Sequence, residues 1–258
     1  MIRPALLLLA ALLPLAAPAH ESATGRRVEV QVYDRTDGRY LPLYRHRGRS
    51  YVAGEPGHDY EIHLQNRRGE RLLAVTSVDG VNVISGQTAS TAQSGYILPA
   101  WDGLQVEGWR KSMDEVARFN FTTLSDSYAA RTGRPRDVGV IGVALFEERP
   151  APRPWYGWSG NEPLREESAS ADRAAAPEAQ SKSRASQAPS LGTGHGTHEW
   201  SGAEHSTFER ASDKPVEVIT IWYNSSRKLA SQGVIPQPRH ELAPHRPQPF
   251  PAGFVPDP

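Results

Sequence analysis

The segment Val138 to Phe146 is apolar on both parities, with Val140, Ile141, Val143, Leu145 and Phe146 in one short run. A run of this length predicts a central strand covered on both faces, which requires a layer on each side of the sheet that holds it. Other segments show the half-buried version of the same pattern. Val28, Val30 and Val32 alternate with Glu29, Gln31 and Tyr33, and Ala117, Phe119, Phe121 and Thr123 alternate with polar residues. Asp37-Gly38 and Asp79-Gly80 supply the positive backbone dihedrals of tight reversals. Further strands are expected at Tyr40 to Tyr44, Tyr60 to Leu64, Leu72 to Val78, Val81 to Ile84, Ser94 to Leu98 and Leu104 to Trp109. Asn66-Arg67-Arg68-Gly69 reads as a hairpin-like connection, and Ser125 to Thr132 as a short helix ending at Gly133. Short strands at this spacing predict an all-β, mostly antiparallel domain, a β-sandwich or a barrel-like form.

The pattern breaks at Arg149. From there to residue 192 the chain is rich in Pro, Ala, Ser and Glu and poor in aliphatics, the composition of an insertion that cannot offset the entropy of ordering. Strands resume in residues 205–235, with Phe208 to Ala211 and Val216 to Tyr223 expected to form a returning hairpin. The second is apolar on both sides, so it is assigned to the same core as residues 26–148. Residues 236–258 form a Pro-rich tail.

Residues 1–19 carry the order of a secretory leader: Met1-Ile2-Arg3, an apolar run from Ala5 to Leu15, then Ala17-Pro18-Ala19. Cleavage near Ala19 would send the chain to the periplasm or outside the cell. The apolar run is short for a permanent span, and no second span is expected after cleavage. The chain has no cysteine, which excludes disulfides, thiolate metal sites and a lipidated N-terminus. Its 29 basic and 29 acidic residues remove any simple argument for nucleic-acid binding.

Several stretches occur together: Ser77-Val78-Asp79-Gly80-Val81-Asn82-Val83, Gln93-Ser94-Gly95-Tyr96, Gly108-Trp109-Arg110-Lys111-Ser112, and Ser127-Tyr128-Ala129-Ala130-Arg131-Thr132-Gly133 leading into Val138-Gly139-Val140-Ile141-Gly142. With Gly192-Thr193-Gly194-His195-Gly196 they make the chain resemble a group of uncharacterised exported proteins of Gram-negative bacteria. The resemblance implies export and a single fold, and carries no activity with it.

Three sets of residues are candidates for chemistry. Gly194-His195-Gly196-Thr197-His198-Glu199 and His205 place three histidines within eleven residues, a set that could hold a divalent transition metal such as zinc, copper or nickel. The plainer reading is a Gly/His loop re-entering the sheet. Asp79, Asn82, Arg110 and Arg131, with Lys111, Asp114 and Tyr128, form a possible polar binding site; the alternative is that Asp79 and Asn82 build a turn. Tyr40, Tyr44, Tyr51, Tyr96, Trp101 and Trp109 could form a platform for stacking sugars, or fill a core. Gly157-Trp158-Ser159-Gly160 lacks the spacing of a nucleophile elbow, and no phosphate loop or dinucleotide fingerprint occurs. The leading expectation is an exported, non-catalytic β-sandwich of the cell envelope that binds a protein or envelope partner; an envelope protein or a glycan is the partner considered. A metal-binding protein or metal-dependent enzyme, and a carbohydrate-binding module, are the alternatives. The oligomeric state is left open.

Overall fold

The computed structural model describes residues 23–151 and 190–236. Residues 1–22 with the expected leader, most of the expected 149–192 insertion and residues 237–258 of the Pro-rich stretch lie outside the described residues. Fifteen strands appear in chain order. They begin with β1 (Ala23–Thr24), β2 (Val28–Asp34), β3 (Arg39–Tyr40), β4 (Leu43–His46) and β5 (Arg49–Gly54). Next come β6 (Asp59–Asn66), β7 (Leu72–Val78), β8 (Val81–Asn82), β9 (Tyr96–Leu98) and β10 (Gly103–Val106). The last are β11 (Gly108–Arg110), β12 (Glu115–Thr123), β13 (Val140–Glu147), β14 (Leu191–Trp200) and β15 (Glu217–Ser225). Helix α1 (Tyr128–Arg131) starts at Ser127, whose hydroxyl accepts the Ala130 N–H, and α2 (Ser226–Ser231) is capped the same way by Ser225.

The strands form two sheets packed as a sandwich. The first runs β1-β2-β6-β12-β11, with β3 on β2, β10 on β6 and β14 on β12. The second runs β4-β5-β15-β13-β7-β8, with β9 on β7. Every paired ladder is antiparallel except β5 with β15, so the mostly antiparallel all-β expectation is met. One continuous core lies between the sheets. Val30, Val32, Ile62, Leu64, Phe119 and Phe121 come from the first, and Leu72, Ile141, Leu145, Ile221 and Tyr223 from the second.

The two-sided strand is β13, central between β7 and β15. Its Ile141, Val143 and Leu145 enter the main core, while Ala144 and Phe146 join Leu73 and Val75 in a smaller cluster on the outer side. That cluster is covered by Phe208 and by the Arg210 guanidinium, 3.9 Å from the Phe146 ring centroid. β15 enters the same core as expected, through Ile219, Ile221 and Tyr223, but its apolar residues are not covered on both sides: Val216, just before the strand, and Val218 face solvent.

Three connections differ from the expected ones. Asn66 to Gly69 is no hairpin: β6 belongs to the first sheet and β7 to the second, so this segment crosses between layers. Phe208 to Ala211 does not pair with β15; Arg210 makes a single bridge to Glu148. The Gly/His segment is no loop either. Residues 191–200 form β14, an antiparallel strand on β12. Glycines at 192, 194 and 196 fit there because neighbours crowd them: a Cβ at Gly192 would stand 2.6 Å from that of Ser127.

Gly108 is the tightest of the backbone approaches. A Cβ there would stand 2.1 Å from the Ala117 carbonyl oxygen, inside contact distance of a backbone atom that the β11–β12 ladder holds in place. The G108A variant is therefore expected to melt roughly 10 °C lower, the scale of about 3 kcal/mol in a domain of this size. An unchanged melting temperature by circular dichroism would show that the ladder can shift to admit a methyl group.

Candidate functional site: a groove on the first sheet

The outer face of the first sheet carries ordered rows of polar side chains. In register across β2, β6 and β10, Gln31 stands opposite His63 and His63 opposite Gln105; in the next row Glu29 faces Gln65. These are the alternate positions left solvent-facing when Val30, Val32, Ile62 and Leu64 turn inward. The rows floor a groove of about 700 Å³ whose rim carries Tyr40, Trp200, Asp102 and Glu107.

The aromatic rim is built rather than incidental. The Tyr40 hydroxyl hydrogen-bonds His63 Nδ1 at 3.0 Å, while His63 Nε2 meets Glu61 at 2.7 Å. Tyr33 stacks on the same imidazole at 5.3 Å, and Tyr40 meets both rings edge-on. Trp200, at the end of β14, is 79% exposed and lies over Gly202, where a Cβ would stand 3.2 Å from its ring. Trp101 is 68% exposed over Gly69, and its carbonyl accepts from Gln65, a floor residue. Tyr40, at 43%, completes the set. Each exposed aromatic residue that the described chain presents therefore stands at or beside this one groove.

The expected platform is met in part. Tyr40 stands at the groove and Trp101 beside it, but Trp109 is buried in the core against Phe119 and Tyr128. Tyr44 and Tyr51 belong to the second sheet, where Tyr51 packs beside Trp222. Tyr96 is half-buried under Arg110. Trp200 was not among the expected members, although its place directly after the Gly/His run was visible.

No family model, curated protein or solved structure matches this chain. What the groove does is therefore argued from its own chemistry.

The histidine set is only partly gathered. Ala117 pairs with His198 and Phe119 with His195, so three steps along β14 match two along β12, a bulge. It brings His195 and His198 to one face, rings 5.5 Å apart, beside Tyr128. Burial, with Lys111 and His198 nearby, holds the His195 imidazole below its ordinary value. Glu199 falls on the opposite face, bound to Arg35 and at 2.7 Å to Arg118. Burial alone would raise its carboxyl, but these two arginines hold it below the usual range. His205 lies past β14 in a separate cavity.

Among the described residues, one group of three metal-capable side chains converges: Asp34, Asp37 and His58, with ligand atoms within 4.8 Å. Its arrangement is accounted for locally. Asp34 accepts the Thr36 and Asp37 N–H groups at 3.0 Å, closing the β2–β3 turn, and its other oxygen meets His58 Nδ1 at 2.9 Å. That bond to Asp34 raises the His58 pKa, so a metal binding there would compete with a proton for the ring.

The polar candidates Asp79 and Asn82 are architectural. Asp79 (φ 52°) and Gly80 (φ 69°) form the two-residue turn between β7 and β8. The buried Asn82 accepts the Ile84 and Ser85 N–H groups at 2.9 Å. Asp79 is fully buried and joins the two layers. Its carboxylate accepts from Tyr223 Oη at 2.5 Å, Gly139 N–H at 2.8 Å and Thr193 N–H at 2.8 Å. The Thr193 hydroxyl meets both Tyr223 and Tyr60 at 2.6 Å. Burial pushes the Asp79 carboxyl up to about 6, and burial with Asp79 nearby pushes both tyrosine hydroxyls up. Arg131 is exposed on α1, and Arg110 lines the second cavity, so the four do not share a site.

Proposed function

We propose that this chain is an exported, non-catalytic β-sandwich that binds a glycan in the groove of its first sheet. One observation carries the reading: the exposed Trp200 and Tyr40 line a groove floored by Gln31, His63, Gln65 and Gln105, and the exposed Trp101 adjoins it through the Gln65 amide. A sugar ring has an apolar C–H face that lies on an aromatic ring and hydroxyls that pair with amides and carboxylates. A concave site with these two elements fixes both the stacking and the orientation of such a ligand. Glu29 on the floor is held by Arg67 at 3.1 Å, which favours recognition over acid–base chemistry. The leader-like start and the resemblance to exported Gram-negative proteins support a place in the periplasm or outside the cell. Among the described residues no helix is long and apolar enough to cross a membrane.

Titration of tryptophan fluorescence with the tetramers of N-acetylglucosamine, glucose (β1,4-linked) and xylose tests the reading. At least one is expected to bind, and W200A to weaken that binding at least ten-fold, the scale of losing one stacked ring. Absence of binding to all three, or equal affinity in W200A, would refute it.

A further inference from the structure

The groove does not end at β10. Leu104, Gln105, Ser201 and Gly202 form a wall shared with a second cavity, also of about 700 Å³. The two sides differ in chemistry. The first carries Glu29, Asp102 and Glu107 among its aromatic rings. The second carries the apolar Ile84, Ile97 and Met113 with Arg71, Arg110 and His205, against the single carboxylate of Glu204.

Arg110 is the informative group. It is half-buried and its Nε and Nη2 each donate to the Tyr96 hydroxyl at 3.2 Å. Nη1 donates to the Ser201 carbonyl, and Nη2 also reaches the Ser201 hydroxyl at 3.3 Å. These partners are all neutral, and no carboxylate among the described residues pairs with this guanidinium. A cation drawn partly out of water ordinarily has a counter-charge, so the cavity wall presents an unneutralised positive group. Arg71, on the same wall, differs: its guanidinium is paired with Glu148 at 3.2 Å, although its buried Nε has no acceptor, so the unpaired charge is that of Arg110.

We propose that this second cavity is a subsite for an anionic substituent, a carboxylate or phosphate on a short apolar branch, of the glycan held in the first groove. The inference rests on the glycan reading. The acidic first groove repels the anion and the Arg110 side attracts it, so the substituent also sets the direction in which the chain lies across the shared wall.

The test compares three probes on the full-length mature protein. They are the N-acetylglucosamine tetramer, the same tetramer with 3-O-lactyl ethers on alternate residues, and its phosphate monoester. At least one anionic form is expected to bind about ten-fold tighter than the neutral one, the scale of one charge-assisted hydrogen bond, and the preference should shrink with added salt. In R110Q the ratio of affinities is expected to fall to about one, and R110K to retain part of it. If the neutral tetramer binds and neither anionic form binds better, this proposal is overturned while the glycan reading stands. A preference unchanged in R110Q would equally overturn it. If none of the three binds while the glucose or xylose tetramer does, the anion subsite fails alone; if no tetramer binds, the glycan reading fails first.

Discussion

A chain ended at Glu148 is expected to show no cooperative thermal transition. The reason lies in where the C-terminal strands sit. β15 runs between β13 and β5, antiparallel to one and parallel to the other, so its removal splits the second sheet through its middle. Removing β14 strips the first sheet of the partner that β12 holds from Glu115 to Thr123. Leu191, Ile219, Ile221, Tyr223 and Leu229 would all leave the core. At about 2 kcal/mol for each buried side chain, the loss is about 10 kcal/mol, as large as the whole stability of an ordinary domain. Calorimetry of the shortened and full-length chains checks this. A shortened chain that melts cooperatively near the same temperature would place those strands outside the folding unit.

Loss of the Asp79 carboxylate is expected to be the most damaging single change, and its effect should depend on pH. In D79A the N–H groups of Gly139 and Thr193 and the Tyr223 hydroxyl lose their acceptor in a buried place. At about 1–3 kcal/mol each, the variant should be destabilised by about 4 kcal/mol or more at acid pH. D79N keeps one oxygen but sets an amide against a donor, an intermediate case. The pH dependence follows from burial, which holds the folded carboxyl at about 6 against an ordinary 3.8. The folded state therefore binds the Asp79 proton more tightly than the unfolded chain. This contribution is fully present below about 3.8 and is lost as pH rises through about 6, amounting to about 3 kcal/mol. Relative to D79N, the wild type should gain stability as pH falls from 7 to 4. Denaturant melts of both proteins across that range measure the difference; a flat difference would mean that the carboxyl titrates as if exposed.

The strands and turns were legible because their signals are local. Alternation at Val28 to Val32, the Asp79-Gly80 turn and the two-sided apolar run at Val138 to Phe146 each depend on neighbours a few residues away. The groove was only half legible. Tyr40 and Trp101 were among the aromatic residues considered for an exposed platform and are exposed, yet Trp109 looked the same and is buried, because burial of a strand aromatic depends on which face meets the other sheet. The Gly/His segment misled for a related reason. Glycine disfavours a strand in isolation, but Ser127, Thr122 and Arg118 stand close to positions 192, 194 and 196, so the strand packs there with no side chain at these three alternate positions.

What the amino-acid order determined by itself was an all-β chain, the position of its most deeply covered strand and the absence of cysteine chemistry. Partnership was decided only in three dimensions. β6 and β7 are neighbours in sequence yet belong to different sheets, while β5 and β15 lie far apart in the chain and pair directly. A bulge of one residue brings His195 and His198 to one face, and register alone places Gln31, His63 and Gln105 in one row. Alternation states that a residue has an inside and an outside; which strand lies beside it depends on the packing energy of the whole sandwich.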